Sequence, residues 1–199
     1  QEFGLRTYIV HFAGLYAESP NDVFYLYDPT EANKEEVRNS VRRFAEWAKD
    51  LGPALAGVQL GNENEYYVQL ASGLYFGGNF WETIRMNPYS YHRFMNELAY
   101  EYKKIDSTHP VFLGHGRMEY QQQLYMVDNL SHFDGIAINV YPNWGEGRPA
   151  TRTFSADELD KGYLAADGER KGGFGVNIRI AAKLGLPVII SEFGESSYQ

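Results

Sequence analysis

Two glutamates stand where a chain can do chemistry: Glu63 in Leu60-Gly61-Asn62-Glu63-Asn64-Glu65, and Glu192 in Ile189-Ile190-Ser191-Glu192-Phe193-Gly194. Each follows a short apolar run of the kind that forms a buried strand. A neutral carboxyl can protonate a departing oxygen, and a charged one can sit beneath a carbon that becomes cationic. A pair held on opposed strands therefore has what the cleavage of a glycosidic bond requires. Taken singly, either residue reads as well as a helix cap or an ion-pair partner. Glu65 competes with Glu63, because Asn64-Glu65 repeats the dipeptide and strand alternation turns both the same way. Glu63 is preferred, since it follows the strand directly.

The elements that must hold this pair can be read from periodicity. Apolar runs alternate with segments of helical period, which predicts repeated βα units and a mostly parallel sheet. Strands are expected at Thr7 to Phe12, Ala56 to Leu60, Val111 to Leu113, Gly135 to Val140 and Val188 to Ser191. Val37, Val41, Phe44, Ala48 and Leu51 step by four and three, the stripe of a helix that Asn33 with Glu36 would start and Gly52-Pro53 would end. Asn87-Pro88 opens a second helix with Tyr91, Phe94, Met95, Leu98 and Tyr102 inward. Leu124, Val127 and Leu130 mark a weaker helix, and Val176, Ile180 and Leu184 a fourth, closed by Gly185. The segments before strands are short and those after them are long, so function is expected at the strands' C-terminal ends.

Composition narrows the partners. The 199 residues suit one domain, 1–199, with a sizeable core. Lys plus Arg total 18 against 26 Asp plus Glu, a formal charge of -8 that repels phosphate backbones and anionic lipid. Neither nucleic acid nor a membrane is an expected partner, and no apolar run has the length of a membrane span. With no cysteine there is no thiolate site. No phosphate-cradling glycine loop or metal-ligand spacing stands out either, so neither a cofactor nor a metal is expected. Aromatics are abundant, with 16 Tyr, 12 Phe and 3 Trp. Rings in the loops after strands, Trp81 and Trp144 among them, would suit the apolar faces of sugars or would simply pack those loops against the sheet.

With these residues in view, the chain resembles the superfamily of retaining glycoside hydrolases with (β/α)8 barrels, which includes cellulases, mannanases and β-galactosidases. That family carries Asn-Glu at the end of its fourth barrel strand and Glu at the end of its seventh. Leu60-Gly61-Asn62-Glu63 matches the first, and Ile190-Ser191-Glu192-Phe193-Gly194 the second, three βα units later. The resemblance implies a TIM-type α/β barrel, a carbohydrate substrate and no cofactor. It makes Glu63 the acid/base, Glu192 the nucleophile and Asn62 a ligand of the sugar's 2-hydroxyl, with roughly 5 Å between the two carboxyls. Asn139-Val140-Tyr141 would end the sixth barrel strand, with Tyr141 hydrogen-bonded to the nucleophile and Trp144 as a sugar platform beyond it. His11 and His115 fall near strand ends where relatives place sugar-binding histidines, though each also fits a hydrogen-bonded core histidine.

The same alignment assigns only barrel strands three to seven, about five βα units. Five strands cannot close with the tilt and shear of eight, so the missing strands are expected from the rest of a longer chain or from another copy. A polysaccharide substrate would place the enzyme outside the cell or in the periplasm. Two other readings stay open: a carbohydrate-binding partial barrel that does not hydrolyse, and a metal-dependent enzyme using Glu63, Glu65, His115 and Glu192 as ligands.

Overall fold

A computed structural model describes residues 4–11, 30–62, 88–115, 130–140, 155–161, 163–164, 170–171, 175, 178–179, 182 and 184–193. Strands β1 (Thr7–His11), β2 (Leu55–Leu60), β3 (Val111–His115), β4 (Gly135–Val140) and β7 (Val188–Phe193) form one sheet in the order β1-β2-β3-β4-β7, every pair parallel. Helix α1 (Glu31–Asp50) joins β1 to β2 and α2 (Pro88–Ile105) joins β2 to β3. Spatial order follows chain order, so each crossover steps the same way. Crossovers of one hand that all step one way send their helices to one face of the sheet. The five strands curl away from those helices into a half-barrel, the α/β architecture expected from the sequence.

The loop after β4 holds more than was read from the sequence. Helix α3 (Ala156–Lys161) precedes a two-residue antiparallel pair, β5 (Tyr163–Leu164) with β6 (Arg170–Lys171). Six helical residues and two paired ones are too few to show a period. The start of α1 also differs from the expected Asn33 cap. Thr30 is the cap, extended in backbone, and its Oγ1 accepts a hydrogen bond from Asn33 N at 3.3 Å. Asn33 is thus the third helical residue, and the helix begins one turn earlier than its apolar stripe. The far end is as expected: Gly52 takes a φ of 51°, open to glycine, and the chain turns through Pro53 into β2. The weak helix around Leu124 and most of the stripe from Val176 to Leu184 lie outside the described residues.

The helix-facing side is the hydrophobic core. Val37, Val41, Ala45 and Ala48 of α1 and Tyr91, Phe94, Met95, Leu98 and Tyr102 of α2 meet Val58, Leu60, Val111, Leu113, Ile136 and Ile138 of the strands, all buried. A side chain the size of Leu98 contributes about 1.5–3 kcal/mol when fully withdrawn from water. Across the outside of the two helices, Arg38 pairs with Glu97 and Arg42 with Glu101, both at 2.7 Å, and the Arg38 guanidinium lies 5.4 Å from the Phe94 ring.

The inner face of the sheet is built differently. Register pairs Tyr8 with Gly57, Gln59 with Phe112, Phe112 with Gly135, Gly114 with Ala137, and Asn139 with Glu192. The concave side of a curled sheet leaves little room per residue, and Gly57, Gly114, Gly135 and Ala137 on it are glycine or alanine, with Tyr8 and Phe112 in edge contact at 6.0 Å. Gly114 is the tightest point. A Cβ there would overlap the Gly61 carbonyl oxygen and Gln59 Nε2.

At the strands' N-terminal ends a buried ion pair ties α2, β3 and the turn after α1 together. Asp106 accepts hydrogen bonds from Thr108 N (3.0 Å), Thr108 Oγ1 (2.7 Å) and Tyr102 OH (2.8 Å), and lies 2.6 Å from His109 Nδ1. His109 Nε2 sits 2.8 Å from the Gly52 carbonyl. Both ring nitrogens face acceptors, so the imidazole satisfies them only as a cation. Burial opposes the charge on Asp106, but the donors around it outweigh burial and hold its pKa at about 2. Burial likewise opposes the cation on His109, and Asp106 and the Gly52 carbonyl raise its pKa all the same.

Two outcomes follow from this packing. Gly114→Ala should lower the free energy of unfolding by about 2 kcal/mol, since the colliding atom at Gly61 is backbone and cannot swing aside; an unchanged urea midpoint would contradict the close approach. Asp106, depressed in the folded state, stabilises above the ordinary carboxyl range and loses that contribution as pH falls towards about 2. His109, raised, stabilises fully below the ordinary histidine value and loses its contribution as pH climbs through the folded one. Urea midpoints across pH should therefore show Asp106→Asn costing about 2 kcal/mol in mildly acidic solution, with the gap to wild type narrowing at both extremes. A gap of constant size would refute the coupling.

Candidate active site at the C-terminal strand ends

Glu192 reaches the inner face through an irregularity. Along β7 the register runs Val188 with Ile136, Ile189 with Ala137 and Ile190 with Ile138, then shifts so that Glu192 stands opposite Asn139. Ile138 belongs to the helix-facing core, so Ile190 shares its side and strict alternation would turn Ser191 inward and Glu192 outward. The shift absorbs Ser191 as an extra residue and puts Glu192 in the same row as Asn139. Bulges recur beside functional sites because they re-aim a side chain in this way. Glu192 is partly buried there.

A chain of side-chain hydrogen bonds runs across the inner face from β1 to β7. Tyr8 OH donates to Gln59 Oε1 at 3.2 Å. Gln59 Nε2 donates to the Gly61 carbonyl at 2.9 Å and to Asn62 Oδ1 at 3.2 Å. Asn139 Nδ2 donates to the same Asn62 Oδ1 at 3.1 Å, and Ser191 Oγ donates to Asn139 Oδ1 at 2.8 Å. Gln59 and Asn139 are buried. Burial of such polar groups is tolerable because they satisfy one another. Burial also pushes the Tyr8 phenol well above its ordinary pKa, so it stays a donor. Gly61, at φ 75°, makes the turn that sets its own carbonyl and Asn62 under this network, and its N–H donates to the His11 carbonyl at 2.8 Å.

Of the residues expected at the site, Asn62, Asn139 and Glu192 are brought together in this way. His11 and His115 are not. His11 Nε2 lies 3.3 Å from Ser40 Oγ of α1, and its ring is 4.6 Å from Phe44. Burial lowers its pKa to about 4. His115 shares the parity of Val111 and Leu113 and stacks on His92 of α2 at 6.1 Å; burial, and then the charge of His92, hold it well below the usual range. Both rings belong to the layer between sheet and helices, because odd positions of β1 and β3 turn that way. Both therefore sit where the other reading of their sequence positions, a core histidine, puts them, and the metal-dependent reading loses His115 as a ligand beside Glu192. Among the described residues no group of three His, Asp or Glu side chains is gathered as metal ligands would be. Glu63, Glu65, Tyr141, Trp81 and Trp144 lie outside the described residues.

Gln59 and Ser191 were not singled out from sequence, although their parity was available. Gln59 sits two residues before Gly61, a polar residue in an otherwise apolar strand, which is itself a signal. Ser191 could be found only through the bulge, which no periodicity announces.

No known protein family and no curated protein matches the chain. Among solved structures, an exo-β-1,4-mannosidase, Op5Man5 from Opitutaceae bacterium strain TAV5, is similar with a TM-score of 0.45 and 16% sequence identity. The aligned part covers 63% of this chain and 21% of that enzyme, so the chain spans about a fifth of that enzyme's length.

Proposed function

We propose that the chain carries the catalytic centre of a retaining glycoside hydrolase acting on a β-linked oligo- or polysaccharide. The observation that carries this reading is the register shift that sets Glu192 opposite Asn139, while Asn139 is bonded to Asn62, the neighbour of Glu63 in sequence. Strand ends that bear the two glutamates are thus tied into one polar row. Glu192 would attack the anomeric carbon, forming a glycosyl ester as the aglycone oxygen leaves with a proton from Glu63. Glu63, now a carboxylate, would take a proton from water as that water displaces Glu192, and the sugar departs with its configuration retained. Asn62 would hold the 2-hydroxyl, Tyr141 would hydrogen-bond Glu192, and Trp144 would stack on a sugar ring. The outer strands β1 and β7 would be joined by further strands from a longer chain or another copy.

Leaving groups separate the two roles. On an alkyl β-glycoside, Glu63→Gln should reduce kcat by about 10³-fold, within the range for a lost acid–base group, and Glu192→Gln, which removes the nucleophile, should reduce it at least as far. On an aryl β-glycoside whose phenol departs without help, Glu63→Gln should recover much of the glycosylation rate and Glu192→Gln should not. Unchanged turnover in either variant of the complete protein would refute the assignment. Calorimetric binding of the oligosaccharide without cleavage by wild type would select a carbohydrate-binding protein instead.

A further inference from the structure

We propose that Gln59 is a positioning residue for Asn62, and that the Gly61 backbone carbonyl dictates which way every amide in the row faces. The two ends of an amide have nearly the same shape, so neighbours decide its orientation by what they can donate or accept. A hydroxyl fits either end, since it both donates and accepts. A backbone carbonyl can only accept. Gln59 must therefore turn its nitrogen towards Gly61, 2.9 Å away, and the same nitrogen then requires the oxygen of Asn62 at 3.2 Å. With that oxygen fixed, Asn139 must present nitrogen to it at 3.1 Å and so shows its own oxygen to Ser191, whose hydroxyl is left to donate at 2.8 Å.

Reversing any one amide would set two acceptors or two donors against each other, and the error could not be passed along the row because it ends on the carbonyl. Tyr8, the remaining partner of Gln59, accommodates the result by donating to Oε1. The Gly61 carbonyl is itself held in place. Its residue turns at φ 75°, its N–H is bonded to the His11 carbonyl, and Gly114 leaves the space that its oxygen fills. The consequence for Asn62 is chemical: its oxygen serves two donors within the row, so the end of its amide that faces away from Gln59 and Asn139 is N–H. Resting on the hydrolase reading, this makes Asn62 a donor to the sugar's 2-hydroxyl oxygen, with Gln59, three residues earlier on β2, setting that sense.

The test uses Gln59→Met, which keeps length and removes both polar ends, in the complete protein. Side-chain amide signals of Asn62 and Asn139 in proton–nitrogen spectra, assigned through Asn62→Asp and Asn139→Asp, should move and exchange faster with water. Ser40→Ala, on the helix side of the sheet, should leave them in place. The ratio of kcat/KM between an aryl β-glycoside and its 2-deoxy analogue should fall about tenfold in Gln59→Met, the scale of one lost hydrogen bond. Were Gln59→Met not to fold, Gln59→Glu has the same shape and donates to Gly61 only while its carboxyl is protonated. The Asn62 signals should then approach their wild-type positions as pH is lowered. Unmoved amide signals in the Gln59 variant, or moved signals with an unchanged 2-deoxy ratio, would overturn the proposal. Moved signals in a protein whose wild type hydrolyses no glycoside would uphold the positioning role and reject the hydrolase reading.

Discussion

A strand shows its side chains alternately to its two faces, and Glu192 falls on the wrong beat. Counting from Ile190, the register partner of Ile138 in the helix-facing core, regular pairing would send Glu192 out towards the helices and leave Ser191 facing the barrel interior. One inserted residue returns Glu192 to the row of Asn139 and leaves Ser191 within reach of it. Everything proposed for the site depends on that return, because a nucleophile aimed into the helix layer could meet no substrate. The irregularity also uses its extra residue, since Ser191 donates to Asn139 and so fastens the bulged strand to its neighbour. Loss of one ladder position is thereby offset by a side-chain bond at the same level.

The second constraint is room. On the convex side large side chains interdigitate freely, and Tyr91, Tyr102, Met95 and Leu98 are all fully buried there. On the concave side the strands crowd one another, and a turn such as that at Gly61 can be tucked under the sheet only where the next strand lacks a Cβ. Gly114 is therefore a condition for the position of Asn62 and not a gap in the packing. The same crowding favours polar residues that reach across strands instead of stacking on them, which is why the network of Gln59, Asn62 and Asn139 lies on this face and not on the other.

Much of the scaffold was legible in the residues. Val37, Val41 and Ala48 announced α1, Pro88 opened α2 where an N-terminal proline belongs, and the apolar runs from Gly135 and from Val188 marked two of the strands. These features are local, and local pattern carries them. What could not be read depends on contacts between distant segments. Thr30 caps α1 ahead of its apolar stripe, so periodicity placed the start a turn late. His11 and His115 stand near strand ends, as a site residue would, yet which face they take is decided by parity against Val111 and Leu113, and that points them to Ser40 and His92. The register shift at Ser191 exists only in the pairing of β4 with β7, and a single strand's sequence contains no trace of it.

The two histidine arrangements show how one residue type serves opposite ends of the sheet. At the N-terminal ends His109 is charged, because Asp106 and a backbone carbonyl occupy both ring nitrogens and outweigh the cost of burial. Nearer the C-terminal ends His11 and His115 meet a hydroxyl and another imidazole, neither of which compensates a buried cation, and both are held neutral. Among the described residues, the row that Glu192 joins opposite Asn139 is thus made of amides and hydroxyls, with both of these imidazoles on the other side of the sheet. In the proposed role for Glu192, the amides of Asn139 and Asn62 would be the oriented dipoles that the described residues place beside it, held in one sense by the row of hydrogen bonds and needing no reorganisation during the reaction.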